Sequence, residues 1–298
     1  MTMVEQRRRV VLGSSGQRTA QLVDWAARLL WPGDRVRVVH VYRPIPYAAT
    51  DWQLPVDKTG LGRTVTRRQV SAVADQLLRK RPDLTVTEEL ASGDSTDLAL
   101  ARAAVDADLI LLGTPRWARN RNMLGRLLAE VDCPVILTGR GEPTGTDSVA
   151  AVLRGDPADD AVLRAAFEQA QRERCGLLVL KRLQPPLDGN LRYAETAEQK
   201  TLDNYLTGWQ ERYSHVGVAA ELRFGESLPE LMGHGAHAGL LVLAMPAQRL
   251  GQDDFEAALD EVIEHRTRPT MLIPEGETAP MSTAPMSTAS TSIGAGDG

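Results

Sequence analysis

Four arginines and a tryptophan lie close together in one short segment: Arg116, Trp117, Arg119, Arg121 and Arg126. Guanidinium groups bind phosphate oxygens through paired hydrogen bonds, and an indole ring can stack on a nucleobase. This chemistry suits a small anionic ligand. The same residues are also compatible with solvated loop side chains, or with arginines that pair with acidic groups on the other half of the chain.

Two serines form a second candidate for ligand contact. Ser14 and Ser15 follow a short apolar run and precede a predicted helix. Serines in this position commonly accept hydrogen bonds from the first N–H groups of the helix and so act as caps. The functional interpretation is that both line a nucleotide cleft, because such clefts lie at the carboxyl ends of parallel strands.

Residue types that would indicate catalysis or metal binding are not combined in a recognisable pattern. His234 and His237 form a His-x-x-His spacing, but no nearby cysteine or glutamate completes a metal site. The sequence contains no ordered Ser/His/Asp set, no paired-carboxylate motif and no setting for a cysteine nucleophile. We therefore predict no catalytic residues and no metal, and a protein that is not an enzyme.

The elements that would position these residues occur twice along the chain. Gly93-Asp94-Ser95 precedes an apolar run at residues 109–112, and Gly225-Glu226-Ser227 precedes a similar run at 240–243. A separation of about 130 residues indicates a duplicated domain. We predict a first domain at residues 1–143, a degenerate second domain at 144–275 and a disordered polar tail at 276–298.

Strands and helices alternate in both halves. Apolar residues at Leu22, Trp25, Ala26 and Leu29 have the spacing of one helical face. Residues 43–62 have no period and are interpreted as a connection, 64–81 and 255–264 as helices, and 84–90 as a strand near the sheet edge. This alternation predicts an α/β fold in which each half is a doubly wound, five-stranded parallel sheet.

The composition narrows the class of protein. The chain has 298 residues, a net charge of -5 and only two cysteines, Cys133 and Cys175. An acidic balance argues against nucleic-acid binding, and few cysteines suit a reducing compartment. No apolar stretch is long enough to cross a bilayer, so we expect no membrane association and a cytoplasmic location.

Together these features resemble the universal stress protein family, in its tandem form with two domains in one chain. The residues that carry the resemblance are the strand and turn at 10–16, Trp25-Ala26-Ala27, Gly93-Asp94, the strand at 107–113 and Cys133-Pro134-Val135-Ile136-Leu137. The resemblance covers residues 8–140 and, more loosely, 147–274. It implies a Rossmann-like fold, a role in the response to stress, and two halves that pack as a pseudo-dimer through their last strands.

The resemblance also allows a comparison with the ATP-binding subgroup of the family, whose loop contains three spaced glycines and a hydroxyl residue. Gly113 and Gly125 correspond to the first and third glycines, with the spacing one residue short. Arg116 replaces the second glycine, Arg126 the hydroxyl residue, and Ser14 the aspartate of the first turn. In the second half, Gly251 is the only glycine of the corresponding segment at 244–254.

These departures favour a non-catalytic binding or regulatory module that has no cofactor and acts through unidentified protein partners. One alternative is an adenine-nucleotide sensor, with ATP or a related small anion bound by the first domain. The residues for that site are Gly13, Ser14, Ser15, Gly113, Arg116, Gly125 and Arg126. A further alternative is a nucleotide-hydrolysing or nucleotidyl-transferring enzyme. Whether two chains form a homodimer stays open.

Overall fold

The computed structural model describes residues 7–14, 19–42, 58–93, 95–113, 121–139, 141, 148–186, 190–245, 259–260 and 268–274. The strands are β1 (Arg9–Gly13), β2 (Arg35–Tyr42), β3 (Thr85–Ser92), β4 (Leu109–Leu112), β5 (Val135–Leu137), β6 (Ser148–Leu153), β7 (Gly176–Leu183), β8 (Val218–Phe224), β9 (Leu240–Met245) and β10 (Thr270–Pro274). The helices are α1 (Thr19–Leu29), α2 (Lys58–Lys80), α3 (Thr96–Ala103), α4 (Arg121–Glu130), α5 (Asp159–Glu173), α6 (Leu191–Arg212) and α7 (Leu228–His234).

All ten strands lie in one sheet, in the order β3-β2-β1-β4-β5-β10-β9-β6-β7-β8. The pairing is parallel within each half, so the predicted α/β class with a mostly parallel sheet is confirmed. The halves meet at β5 and β10, which pair antiparallel, with Ile136 opposite Met271. Because β5 and β10 each have neighbours on both sides, the free sheet edges among the described residues are β3 and β8.

The apolar periods of the sequence explain how the helices cover this sheet. Leu22, Trp25, Ala26 and Leu29 of α1 are all buried, as their spacing predicts. Helices α1, α2, α5 and α6 bury their apolar residues against one face of the sheet, and α3, α4 and α7 against the other. Strands covered on both faces are continuously apolar, and β4 is buried along its whole length.

An aromatic cluster occupies the core of the second half. Phe167 of α5 is fully buried. Its ring stacks against Tyr213 at a centroid distance of 5.2 Å and against Trp209 at 5.8 Å. Such contacts add to the free energy of burial, so this cluster is a main source of stability for the α5–α6 layer.

A second contact between the halves lies at the end of α1. The half-buried Arg172 of α5 donates hydrogen bonds to the carbonyl oxygens of Leu29, at 3.0 Å, and Leu30. Its guanidinium lies 5.0 Å from the Trp31 ring, whereas that of Arg8 lies 3.7 Å from the same ring. The last carbonyls of a helix have no partner within the helix. Arg172, which belongs to the second half, therefore supplies hydrogen-bond donors to carbonyl oxygens at the end of a helix of the first half.

Some boundaries differ from the sequence prediction. Helix α2 begins at Lys58, whereas the sequence predicts a start at residue 64. The prediction is late because Gly60 and Gly62 lower the helix propensity of the first turns, although they do not prevent helix formation. Strand β3 lies at the sheet edge, as predicted. Of the helix predicted at 255–264, the described residues 259–260 are helical and Leu259 is buried. The tail at 276–298 lies outside the described residues.

Within the described part of the chain, none of the helices combines the length and the hydropathy that a membrane crossing requires.

Candidate functional site

The strand order of each half reverses between two neighbouring strands, and the candidate site lies at that point. In the first half these strands are β1 and β4, and their register places Gly13 beside Leu112. Ser14 and Gly113 follow directly, so the carboxyl edge of the sheet brings Gly13, Ser14 and Gly113 together. Clefts at such reversals are the usual ligand sites of doubly wound sheets.

Gly13 has a packing role at this edge. A Cβ atom at this position would lie 2.5 Å from Cδ2 of Leu112, which is itself buried. The absence of a side chain at Gly13 therefore leaves room for the Leu112 side chain in the core, which gives this glycine a packing role that needs no ligand. Ser14 is also buried, and its backbone N–H donates to the carbonyl oxygen of Val39 at 2.8 Å.

His40 follows Val39 at the same edge. Burial lowers the pKa of His40, although a hydrogen bond with the backbone of Ser14 partly opposes this shift. The imidazole is therefore neutral at pH 7. A neutral ring adds no positive charge to the cleft and does not attract an anion there.

Arg126 is already paired with a carboxylate. Its Nε donates to Oδ2 of Asp97, and the hydroxyl of Ser95 donates to Oδ1 of the same carboxylate. Asp97 is buried at the start of α3, whereas the Arg126 side chain is 53% exposed. The cation expected to contact a ligand phosphate is thus held by an anion within the protein. Asp97 was not among the predicted site residues.

The other predicted residues are placed less favourably for a phosphate cradle. Gly125 is the fifth residue of α4. Only the first few N–H groups of a helix are free to bind a ligand, and Gly125 follows them. Ser15 and Arg116 lie outside the described residues.

The Asp97 pair makes stability depend on pH. Burial raises the pKa of Asp97, but the hydrogen bonds from Arg126 and Ser95 outweigh burial and hold the pKa below its ordinary value of 3.8. The ionised carboxylate therefore stabilises the fold above that value, and the contribution is lost as the pH falls through the folded-state pKa. We expect Asp97→Asn to lower the free energy of unfolding by about 1–2 kcal/mol at pH 7.

Urea unfolding at pH 7 and at a pH below the Asp97 pKa tests this expectation. The difference between the wild type and Asp97→Asn should shrink at the lower pH. A difference that stays constant between the two pH values would show that the carboxylate charge does not stabilise the fold.

In the second half, a carboxylate occupies the turn that corresponds to the first-half serines. Asp159, at the start of α5, is buried. Its carboxylate accepts hydrogen bonds from the N–H groups of Arg154 at 2.9 Å and Gly155 at 2.8 Å. Burial raises the pKa of Asp159, and these two hydrogen bonds oppose the shift. Backbone donors that could face a ligand phosphate are therefore used internally.

Histidine and cysteine do not form a reactive centre in the described residues. His234 lies 3.0 Å from Glu226, and the part of the chain that is described contains no cluster of metal-ligating residues. Cys133 is buried, and burial raises the pKa of its thiol to about 11. A thiol with that pKa is protonated at neutral pH and unreactive.

The fold defines an α/β protein with two similar halves, each built on a doubly wound parallel sheet. Residues 6–138 match the sequence profile of the Universal stress protein family. A universal stress protein of Mycolicibacterium smegmatis is 26% identical over 277 residues, which cover 84% of this chain and 91% of the relative. One from Mycobacterium tuberculosis is 24% identical and covers 69% of this chain and 75% of its own.

Solved structures support the same fold. A universal stress protein of Archaeoglobus fulgidus superposes with a TM-score of 0.68 at 13% identity, over 91% of this chain and 98% of its own. The cytoplasmic domain of a prokaryotic cation chloride cotransporter gives a TM-score of 0.55 at 10% identity, over 90% of this chain and 95% of its own. The first half of the chain thus matches the universal stress protein family, and the chain as a whole is similar to universal stress proteins over most of its length.

Proposed function

We propose that the chain is a non-catalytic universal stress protein that works in the cytoplasm by binding regulatory partners, and that it does not bind ATP. The observation that carries this proposal is the Asp97–Arg126 pair. Nε of Arg126 is used by Asp97, so a triphosphate bound by the other N–H groups of the guanidinium would lie beside that carboxylate and be repelled by it. If Arg126 left Asp97 instead, a buried carboxylate would lose its cation, which is energetically costly.

The second half supports the same proposal through a different residue. Asp159 already accepts the N–H groups of Arg154 and Gly155, and it is 6% exposed. A ligand phosphate would have to displace this carboxylate, or bind beside it against charge repulsion. In both clefts, hydrogen-bond donors are therefore already bound to a carboxylate of the protein, which disfavours the binding of an added polyanion. Regulation would then depend on the outer surface of the protein and not on nucleotide exchange.

Calorimetric titration with Mg-ATP tests the proposal. ATP at 100 times its dissociation constant would raise the free energy of unfolding by about 2.7 kcal/mol, so thermal unfolding provides an independent measurement. We expect neither saturable heat nor a thermal shift at millimolar nucleotide. Asp97→Asn serves as the informative variant, because it releases Arg126 while keeping the shape of the side chain.

The alternatives give different results in the same experiment. Saturable ATP binding that is lost in Arg126→Ala would contradict the proposal and support a nucleotide sensor in the first domain. Release of ADP or transfer of a nucleotidyl group, abolished by the same substitution, would instead support an enzyme.

A further inference from the structure

A cavity of about 230 Å³ lies at the amino ends of β1, β2 and β3. This is the sheet edge opposite to the nucleotide cleft. The polar side chains of its lining are Arg9, Arg35, Arg37, Thr85, Thr87 and Asp106. Three guanidinium groups and two hydroxyls thus surround a single carboxylate, and hydrogen-bond donors predominate.

Two of the three arginines are held in place by acidic neighbours. Arg9 forms an ion pair at 3.1 Å with Asp108, a residue that does not line the cavity. Arg37 pairs with Asp106 at 2.9 Å and also donates to the carbonyl oxygen of Ala103 at 3.0 Å. Arg35 differs, because it is exposed and none of the described carboxylates pairs with it. Its guanidinium fork is therefore available to a ligand.

The second half shows that the fold does not require these residues. Strand registers relate Val10 to Val149, since each pairs with the first residue of the equivalent neighbouring strand, Leu109 or Leu240. The five positions occupied by arginine or threonine in the first half correspond to Ser148, Gly176, Leu178, Gly217 and Ala219 in the second. The same sheet thus forms with small or apolar residues, so its stability does not explain the arginines.

The charge of the whole half favours an anion at this edge. Residues 1–143 contain 21 Lys and Arg against 16 Asp and Glu, whereas residues 144–275 contain 13 against 21. The positive balance of the first half raises the local concentration of anions around it. Asp106 repels an anion, and Arg37 offsets its charge only in part, because Arg37 also pairs with Glu89 at 3.5 Å. The attraction at this edge therefore rests on Arg35.

We propose that this cavity binds a small metabolite with a terminal phosphate group. The Arg35 fork would bind two phosphate oxygens, and the hydroxyl of Thr85 would donate to the third. The hydroxyl of Thr87 donates to the carbonyl oxygen of Val36 at 3.5 Å. The volume of about 230 Å³ suits a small phosphate monoester. This site is independent of the cleft and does not rest on the function proposed above.

Binding of 4-fluorophenyl phosphate, followed by fluorine NMR and competed with inorganic phosphate, tests the site. We expect saturable binding that weakens about tenfold in Arg35→Gly, which introduces the residue of the second half. Arg67→Ala on α2 removes an exposed charge elsewhere on the same half and should leave binding unchanged.

Three results would overturn the proposal: an affinity that Arg35→Gly leaves unaltered, binding that does not saturate, and loss of binding in Arg126→Ala with Arg35→Gly unaffected. The last would place the anion in the cleft at the opposite edge.

Discussion

Phe167→Ala is expected to lower the free energy of unfolding by about 3–5 kcal/mol, the largest effect of any single substitution considered. Phe167 is fully buried and stacks on both Tyr213 and Trp209. Alanine would leave a cavity bordered by two large rings that cannot easily close it. Urea unfolding followed by circular dichroism measures the loss.

Tyr193→Ala is the matched control for this prediction. Tyr193 is also aromatic and lies in the α5–α6 layer, but it is 74% exposed. Its removal should change stability by no more than about 0.5 kcal/mol. Equal losses for the two variants would contradict the assignment of Phe167 to the core.

Arg172→Met is expected to lower the free energy of unfolding by about 2 kcal/mol, because it removes two charge-assisted hydrogen bonds to helix-terminal carbonyls. Leu30 keeps a hydrogen bond from Arg81 at 2.8 Å and Leu29 a longer one from Arg8 at 3.5 Å, which limits the loss. Burial lowers the pKa of Arg172 to about 10, with Arg8 as a smaller cause, so the side chain stays charged at neutral pH. Methionine keeps much of the apolar stem and removes the guanidinium. Because Arg172 reaches α1 of the other half, amide hydrogen exchange at Leu29 and Leu30 should also accelerate.

Arg164→Met provides the control, since Arg164 lies on the same helix and is exposed. It should affect neither stability nor exchange at the end of α1. If Arg172→Met accelerates exchange only within α5, the proposed contact between the halves is not a coupling contact.

The fold was predictable because its signals are local. The stripe of Leu22, Trp25 and Leu29 specifies a helix face, and the apolar run of β4 specifies a strand covered on both sides. The start of α2 was misjudged because two glycines weaken a helix without excluding it. Here the long helix packs on the sheet, and tertiary contacts outweigh local propensity.

The contents of the cleft were less predictable because they depend on contacts between distant residues. The sequence identified Gly13, Ser14, Gly113 and Arg126, but nothing in it links Arg126 to Asp97, which lies 29 positions earlier. Asp159 likewise follows a glycine turn and resembles an ordinary helix-start acid, although it accepts two backbone N–H groups. Only the folded arrangement reveals which donors are already satisfied.

A crystal structure determined from crystals grown with Mg-ATP would test the central claim most directly. Our prediction is that Arg126 contacts Asp97, that Asp159 contacts the N–H groups of Arg154 and Gly155, and that neither cleft contains a nucleotide. A structure in which ATP lies at the carboxyl edge of β1 and β4, with Arg126 turned from Asp97 to a phosphate, would contradict it.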